Sequence, residues 1–331
     1  MQTIGVIGAG AWGTALAQIL CKYGRSVTLY AREAELAASI TDRHDNPTYL
    51  PGIPLCEDLK ATSDIHEAAK AQILLITTPA QHVRTALEKM KDDITADTSI
   101  VICAKGVELQ TGMLMSQVAK EVLPETKIAI LTGPTFASEI ARGLPSAVTL
   151  ATTDKDSGKR LQEALGVKSF RPYLTEDVIG AQLGGAIKNV IAIACGIVQG
   201  RNMGDNARAA LLTRGIAEIA RLAVAMGAKK ETLLGMCGIG DLMLTCSSMQ
   251  SRNYSLGVAL GEGKTLHEIL GPRKAVTEGV HTAKATLELA RKNAVDMPIS
   301  EAVNKTLNEG VSIDEAIQEM LNRPFSYEII G

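Results

Sequence analysis

The chain has 331 residues, with 34 basic and 36 acidic side chains and no long run of one charge. This balance lacks the basic patch of a nucleic-acid-binding protein, and aromatic residues, at 3% of the chain, are too few for base-stacking platforms. The length favours two domains, each able to bury its own core. The first residues show neither the basic segment nor the cleavage site of a secretory signal, so we expect a cytoplasmic protein.

The cysteines and the longest apolar stretch exclude two further classes. The six cysteines are widely spaced and form no CxxC pair or Cys/His ligand set, which predicts reduced thiols and no metal site. The apolar stretch at 181–198 contains Gln182, Lys188, Asn189 and three glycines, which would be unfavourable at the centre of a bilayer. We interpret it as a buried helix and expect no membrane span.

The chain changes character near its middle. Its first half alternates short apolar runs with helical stretches, which is typical of βαβ units whose strands are covered on both faces. From about residue 178, Ala, Leu, Ile and Met recur at helical spacing and strands disappear. The pattern predicts a Rossmann-like, doubly wound α/β domain at 1–180 and an all-helical domain at 181–331, with a ligand site in the cleft between them. The predicted strands are 3–7, 27–30, 73–77, 100–104, 128–131, 148–151 and 170–174.

A GxGxxG fingerprint directly follows the first strand and opens a helix predicted at 14–23. Gly8 permits the tight turn, Gly10 lets the backbone approach a pyrophosphate, and Gly13 lets the helix lie close to the strand. The free N–H groups at the start of that helix, together with Ala11 and Trp12 just before it, would hold the phosphates. The alternative is a glycine-rich turn that binds no ligand.

The end of the second strand bears on the choice of cofactor. In dinucleotide-binding folds an acid there hydrogen-bonds the ribose 2′-OH of NAD, whereas an arginine accommodates the 2′-phosphate of NADP. Arg32 therefore favours NADP(H), while Glu33, about twenty residues past the fingerprint, leaves NAD(H) open. Arg32 as a solvated charge at a helix start is the structural alternative.

Lys188 is the one charged residue of the apolar stretch at 181–198. On a helix, its neighbours would be Gly184, Gly185 and Ile191. Burial among such residues lowers the pKa of an ammonium group, which suits a side chain that must donate and recover a proton. A positioned ammonium also stabilises the negative charge that develops when hydride reaches a carbonyl. The alternative is a lysine that extends from the helix edge to solvent.

Across nearly its whole length the chain resembles the bacterial NAD(P)-dependent glycerol-3-phosphate dehydrogenases. That family reduces dihydroxyacetone phosphate to sn-glycerol 3-phosphate, which supplies the glycerol phosphate backbone of phospholipids. The resemblance implies the same reaction here and a homodimer. Seven segments in matching order carry it: GAGAWGTALA at the start, AKGVE at 104–108, LTGPTFASE at 131–139, GAIKNVIAIACGI at 185–197, GIGDLMLTC at 238–246, SRNY at 251–254 and TEG at 277–279.

The resemblance assigns the catalytic roles. It implies that Lys188 is the proton donor and acceptor, with Asn189 beside it, and that Lys105 contacts both substrate and nicotinamide. It also implies that Asp241 orients and pairs with Lys188, with Thr245 one helical turn further on the same face. Read alone, Asp241 could be a plain N-cap, because Gly-Asp before an apolar helix is also a helix-start signal.

Other site residues follow from the same resemblance. Ser251, Arg252 and Asn253 offer a hydroxyl, a guanidinium and an amide to the substrate phosphate, and Arg252 also reaches the cofactor. As an isolated tripeptide they could equally be a surface N-cap. Thr135 stands where many relatives have Ser, and its hydroxyl preserves the expected hydrogen bond. The remaining implied contacts are Gly133 to substrate, and Trp12, Ala137, Val276 and Glu278 to the cofactor.

Two alternatives stay open at this point. A β-hydroxyacid or 6-phosphogluconate-type dehydrogenase also joins a Rossmann-like domain to a helical one, and this 6-phosphogluconate-dehydrogenase-like architecture is the fold we expect. The five histidines show no pairing pattern for a His/Asp mechanism, which favours a lysine acid. The second alternative is a non-catalytic dinucleotide sensor, since a fold does not dictate a reaction. The pair Lys105 and Lys188 argues against it.

Overall fold

A computed structural model of the chain describes residues 2–271 and 278–325. Within them a single eight-stranded sheet dominates the first part of the chain. Its strands are β1 Thr3–Ile7, β2 Ser26–Tyr30, β3 Lys60–Thr62, β4 Ile73–Ile76, β5 Ser99–Ile102, β6 Lys127–Thr132, β7 Ser146–Ala151 and β8 Phe170–Thr175. The order across the sheet is β3-β2-β1-β4-β5-β6-β7-β8, and all neighbours are parallel except β6 and β7.

Helices cover both faces of this sheet. They are α1 Ala11–Lys22, α2 Ala34–Ala38, α3 Ile65–Ala69, α4 Val83–Met90, α5 Met115–Val122, α6 Ala137–Arg142 and α7 Lys155–Leu165. The adjacent strand residues Leu74 and Leu75 point to opposite faces, where they join separate core clusters with Leu87 of α4 and Leu16 of α1, respectively. The doubly wound, Rossmann-like domain predicted from the apolar runs is therefore confirmed.

The predicted strands are all present, with ends that differ by no more than about two residues. Strand β3 was missed because it is short, half-exposed and begins with a lysine at the sheet edge, so no apolar run marks it. The helix predicted at 14–23 begins three residues earlier, at Ala11, inside the fingerprint itself.

The second part of the chain is helical, as predicted. Its helices are α8 Val178–Gly200, α9 Asp205–Ala225, α10 Asp241–Thr245, α11 Arg252–Gly261, α12 Leu266–Leu270, α13 Glu278–Lys292, α14 Pro298–Asn308 and α15 Ile313–Leu321. Short 3₁₀ or π-helical turns lie at Ser39–Arg43, Ala80–His82, Lys230–Leu234 and Met236–Gly240. The division at residue 180 stays a prediction, and α8 crosses it without a break.

Helix α8 is the centre of the helical part. It is long and apolar enough to cross a membrane, but 83% of its apolar window is buried inside the fold, as expected for a core helix. It packs against α11 with the two backbones in contact: a Cβ on Gly196 would lie 2.2 Å from the carbonyl oxygen of Tyr254, and one on Gly257 would lie 2.1 Å from that of Ile193. Only glycine permits this approach from both sides.

The three fingerprint glycines have different local surroundings. Gly8 has a φ of +120°, which side chains disfavour, and so needs glycine for the turn. A Cβ on Gly13 would lie 1.9 Å from the carbonyl oxygen of Gly8, so the helix can lie this close only without a side chain. Gly10 has an ordinary φ of −65°, and nothing lies within 4 Å of a Cβ built on it. Gly10 is therefore open towards the space in front of α1.

These surroundings predict that alanine will destabilise the protein at Gly13 but not at Gly10. Gly13→Ala should lower the free energy of unfolding by roughly 1–3 kcal/mol, because backbone must move to admit the methyl group. Gly10→Ala is the matched control and should leave the unfolding midpoint within error of the parent protein. Denaturant titrations of both variants, followed by circular dichroism, measure the difference. Equal midpoints for the two variants would contradict this account of the helix–strand contact.

Candidate active site

Two lysines from different parts of the fold meet at one buried carboxylate. Lys105 follows strand β5, at the carboxyl edge of the sheet, and its Nζ donates to Asp241 Oδ2 at 2.7 Å and to the carbonyl oxygen of Gly133 at 3.2 Å. Lys188, on α8, donates to Asp241 Oδ1 at 2.5 Å. Asp241 is 1% exposed, so its carboxylate is shared between the two ammonium groups almost without water. This contact joins the sheet domain to the helical part.

Thr245 completes the immediate surroundings of Lys188. Its Oγ1 accepts a hydrogen bond from Lys188 Nζ at 2.8 Å and lies 3.3 Å from Asp241 Oδ1. Asp241 and Thr245 are the first and last residues of α10, one turn apart, so both side chains reach the same point. The N-cap position of this helix belongs to Gly240, and the Asp241 side chain therefore does not act as a plain helix cap.

Small residues bring Lys188 to this point. A Cβ on Gly184 would lie 2.4 Å from the carbonyl oxygen of Cys237, and one on Gly185 would lie 2.5 Å from Thr132 Oγ1. Helix α8 can therefore lie flush against the turn before α10 and against the end of β6. The next turn of α8 then presents Lys188 to Asp241. The glycines that precede the lysine in the sequence thus act through packing.

Burial controls the charge of Lys188. Desolvation lowers its pKa to about 8; the neighbouring Asp241 carboxylate opposes this shift, and Lys105 adds to it. The side chain is only 8% exposed, so the alternative of a lysine reaching into solvent is wrong. Glu278 lies near the same charges: desolvation raises its pKa, while Arg252, Lys105 and Lys188 act in the opposite direction. The Glu278 carboxylate therefore lies within electrostatic reach of all three cations.

The three residues predicted to bind the substrate phosphate lie at the start of α11. Ser251 is the N-cap, and its buried Oγ accepts a hydrogen bond from the backbone N–H of Tyr254 at 3.2 Å, as the capping alternative required. Arg252 is the first residue of the helix and is exposed. Asn253 is buried and accepts a hydrogen bond from the backbone N–H of Gly279 at 3.0 Å. Gly279 in turn approaches Asn189, because its Cβ would lie 2.9 Å from that carbonyl oxygen.

Several of the predicted cofactor residues follow strands at the carboxyl edge of the sheet. Ala137 begins α6 and packs with Ala11 and Trp12 against the core of the sheet domain. Arg32 follows β2 and is 82% exposed, with its guanidinium bound by the Glu33 carboxylate at 2.7 and 3.0 Å. Val276 lies outside the described residues. Thr135 is partly buried, and its hydroxyl donates to the carbonyl oxygen of Gly133 at 3.3 Å.

These residues suit a dinucleotide. The open space at Gly10 faces the start of α1, whose first turn has no acidic side chain to repel a phosphate. Two buried polar atoms near the fingerprint, Trp12 Nε1 and Thr78 Oγ1, have no hydrogen-bond partner within the described part of the chain. Among residues 2–271 and 278–325, no group of three His, Cys, Asp or Glu side chains is placed to bind a metal ion.

Sequence reasoning missed two residues near the fingerprint. Thr78 lies in the loop after β4, and its backbone nitrogen would be 3.3 Å from a Cβ on Gly8. The sequence does contain a signal for Thr78, because this residue follows an apolar run, and residues at the carboxyl ends of parallel strands lie where ligands bind. Asn46 donates from Nδ2 to the carbonyl oxygen of Ala9 at 2.9 Å and to Thr14 Oγ1 at 2.8 Å, so it fixes the fingerprint loop. No sequence pattern marked it.

A Rossmann-like domain joined to a helical one, with a buried lysine–aspartate centre where they meet, defines a two-domain, dinucleotide-dependent dehydrogenase. Comparison with known proteins is more specific. Models of the NAD-dependent glycerol-3-phosphate dehydrogenase N-terminus and C-terminus match residues 3–158 and 177–318. The chain belongs to this family.

Similarity to individual proteins extends over nearly the whole chain. It is 54% identical over 327 residues to glycerol-3-phosphate dehydrogenase (NAD(P)+) of Parvibaculum lavamentivorans, covering 99% of this chain and 98% of that protein. The crystal structure of glycerol-3-phosphate dehydrogenase from Coxiella burnetii has a TM-score of 0.93 at 38% identity, covering 97% of this chain and 99% of that one. A D-mandelate dehydrogenase, at 15% identity and a TM-score of 0.64, shares the fold alone. Family membership thus decides against the β-hydroxyacid alternative.

The shared carboxylate predicts a pH-dependent loss of stability in Asp241→Asn. Near pH 7 we expect the free energy of unfolding to fall by about 3 kcal/mol, because two lysines lose their common counter-ion. The carboxylate raises the pKa of Lys188, so without it the pKa of this lysine in the folded variant falls below about 8, while the unfolded chain binds its proton up to about pH 10.5. The deficit should therefore shrink as the pH rises towards about 8, where the folded parent protein loses the same proton, and stay constant above that pH.

Urea unfolding of the variant and the parent protein near neutral pH and at higher pH measures this deficit. Asp314→Asn is the control, because Asp314 is 77% exposed in a surface ion pair with Arg201 and should lose less than about 1 kcal/mol at either pH. A deficit in Asp241→Asn that is the same at both values would show that Lys188 does not change protonation.

Proposed function

We propose that this chain catalyses the NAD(P)H-dependent reduction of dihydroxyacetone phosphate to sn-glycerol 3-phosphate. The observation that carries the proposal is the Lys188 ammonium, buried against Asp241 and Thr245 beside a second lysine. In addition, the chain covers 98% of the length of a relative with the name glycerol-3-phosphate dehydrogenase (NAD(P)+) at 54% identity. The product would supply the glycerol phosphate backbone for phospholipid synthesis.

Lys188 would act as the acid in the reduction. The carbonyl oxygen of the substrate gains negative charge as its carbon is reduced, and an ammonium in a dry site both stabilises that charge and donates its proton. Asp241 and Thr245 fix the direction of Lys188 Nζ, so the proton is already aimed before substrate binds. With Lys105 on the same carboxylate, two positive charges meet one negative charge, and the centre keeps an excess that attracts an anionic substrate.

The fingerprint residues would hold the dinucleotide. Gly8, Gly10 and the first N–H groups of α1, from Ala11 to Gly13, would bind the pyrophosphate, and Trp12, Ala137, Val276 and Glu278 would lie along the cofactor. A bound nicotinamide would donate the hydride in the reduction and accept it in the reverse reaction. Lys105 and Gly133, which are in hydrogen-bond contact, would bind the substrate, and Lys105 and Arg252 would contact the cofactor as well.

The start of α11 would bind the substrate phosphate. Ser251 Oγ keeps its proton for a ligand while it accepts from Tyr254, and Arg252 can offer two parallel N–H groups to phosphate oxygens. The helix dipole adds favourable potential at that end. Asn253 and Asn189 would support this phosphate site through the buried contacts around Gly279. Thr135 would turn its hydroxyl from Gly133 towards the substrate.

We also propose that the protein works in the cytoplasm as a homodimer without a membrane span. The burial of α8, the most apolar helix of the described chain, supports the last point. Near-neutral overall charge and few aromatic residues support the view that nucleic acid is not a partner. Light scattering coupled to size-exclusion chromatography would measure the subunit number.

Removing the Lys188 side chain tests the mechanism. Lys188→Ala should lower kcat for dihydroxyacetone phosphate reduction by at least about 10³-fold, because the acid and the charge on the developing alkoxide are both lost. Binding of NADPH, followed by its fluorescence, should persist. Lys155→Ala is the control, since Lys155 is 75% exposed at the start of α7, in a surface ion pair with Glu176. Near-normal turnover in Lys188→Ala would refute the proposed role.

The pH profile gives a second test of Lys188. Reduction needs the ammonium form, so kcat/KM for dihydroxyacetone phosphate should fall as the pH rises through about 8. Oxidation of glycerol 3-phosphate needs the neutral amine, so its kcat/KM should rise over the same interval. Initial rates in both directions across this range measure the two limbs. Parallel changes in the two directions would contradict a single lysine acting as acid and base.

Cofactor preference can be tested at Arg32. If its guanidinium binds the 2′-phosphate, Arg32→Ala should raise KM for NADPH about tenfold or more and leave KM for NADH nearly unchanged. Glu33→Gln should lower KM for NADPH, because the Arg32 guanidinium loses its ion pair with the Glu33 carboxylate and can bind the 2′-phosphate instead. Initial rates with both cofactors decide the matter, and an equal loss for NADPH and NADH in Arg32→Ala would rule out this contact.

A further inference from the structure

Two cysteines that are far apart in sequence meet behind the fingerprint helix. Cys21 lies in the last turn of α1, and Cys56 lies in the segment that leads to β3. Their Sγ atoms are 2.9 Å apart, with the Cys21 thiol donating to Cys56, and both are free thiols. A disulfide needs the sulfurs to approach by only about 0.9 Å more.

Hydrogen bonds on the same helix hold this pair in place. Gln18, one turn before Cys21, accepts from the backbone N–H of Cys56 at 2.6 Å and donates to the carbonyl oxygen of Pro54 at 3.3 Å. Asn46, in the same segment, binds the carbonyl oxygen of Ala9 in the fingerprint loop. The segment is therefore hydrogen-bonded to the fingerprint loop at Asn46 and to α1 near Cys56. These bonds fix the position of Cys56 opposite Cys21.

Access separates this pair from the other cysteines. Cys56 is the one partly exposed thiol of the six, and Cys21 is 4% exposed behind it. The remaining four are buried: Cys103, Cys195, Cys237 and Cys246. An oxidant arriving from solvent therefore meets Cys56 first, with a second thiol already in contact with it.

We propose that Cys21 and Cys56 are a reversible oxidation site, which a peroxide converts into an intramolecular disulfide. The Cys56 thiolate attacks one peroxide oxygen, the O–O bond breaks, and hydroxide leaves, giving a sulfenic acid. Cys21 sulfur then attacks Cys56 Sγ, and the S–S bond forms as the sulfenic oxygen departs with the Cys21 proton as water. Two thiols and one hydrogen peroxide give one disulfide and two waters, and a dithiol reductant restores the thiols.

The protonation of Cys21 fits the order of these steps. Burial raises the pKa of the Cys21 thiol to about 12, with Cys56 and Asp58 acting in the same direction. Cys21 is therefore a protonated thiol at neutral pH, unable to be the first nucleophile but able to supply the proton that the second step needs. Because the two sulfurs are already in contact, the second step is intramolecular, and this compensates for the low nucleophilicity of the Cys21 thiol.

The link would stabilise the fold without disturbing the site. It closes a long loop between the end of α1 and the segment that supports the fingerprint, which restricts the unfolded chain. The movement required is small, and neither sulfur touches Lys105, Lys188 or Asp241 in the described structure. We therefore expect the oxidised protein to melt several degrees higher and to retain its activity.

Treatment of the full-length protein with a slight excess of hydrogen peroxide, followed by alkylation, mass spectrometry and thermal melting, tests the proposal. The parent protein should lose two hydrogen atoms, give a peptide linking Cys21 to Cys56, and melt several degrees higher until dithiothreitol is added. Cys21→Ser and Cys56→Ser should show neither the linked peptide nor the rise. Cys103→Ser, which removes a buried thiol outside the pair, should respond as the parent does.

Two results would overturn it. One is oxidation of Cys56 to sulfinic or sulfonic acid with no linked peptide, which would show that Cys21 cannot reach it. The other is a linked peptide involving a different cysteine. The melting and mass measurements need no substrate, so the outcome is separate from that of the proposed dehydrogenase activity.

Discussion

The structure depends on one buried carboxylate that serves two lysines. Asp241 is almost fully enclosed and balances an ammonium from the sheet domain against one from the helical part, so it ties the halves together where the site forms. Removing a lone charge from water is unfavourable, and three charges in one dry place are tolerated only because each is hydrogen-bonded to another. The same enclosure lowers the pKa of Lys188 towards neutrality. Stability and acid–base chemistry therefore have one physical origin here.

Much of this arrangement could be predicted from the sequence. Apolar runs located the strands because parallel strands are buried on both faces, and the change to helical spacing near 178 marked the second half. Lys188 was conspicuous because it stands alone in an apolar helix. Its link to Asp241, however, spans 53 positions, and no local pattern encodes which carboxylate a lysine will meet. The family resemblance, rather than periodicity, supplied that pairing.

What escaped prediction shares a cause. Strand β3 is too short and too exposed to leave an apolar run, and Asn46 supports the fingerprint through hydrogen bonds made across 37 positions. The meeting of Cys21 with Cys56 is of the same kind: their spacing suggested isolated thiols, and only the return of the chain along α1 brings the sulfurs into contact. Contacts distant in sequence are set by topology, which single-sequence patterns describe poorly.

The glycine contact between α8 and α11 has a consequence for substrate choice. With backbone against backbone at Gly196 and Gly257, neither helix can slide along the other, so the separation between Lys188 and the start of α11 is a fixed length. If the start of α11 binds the phosphate and Lys188 binds the carbonyl oxygen, this fixed separation sets how many atoms of the substrate can lie between the two groups. Rigid helix packing, rather than the chemistry of any single side chain, would then exclude phosphate esters whose carbonyl carbon is separated from the phosphate by fewer or more atoms.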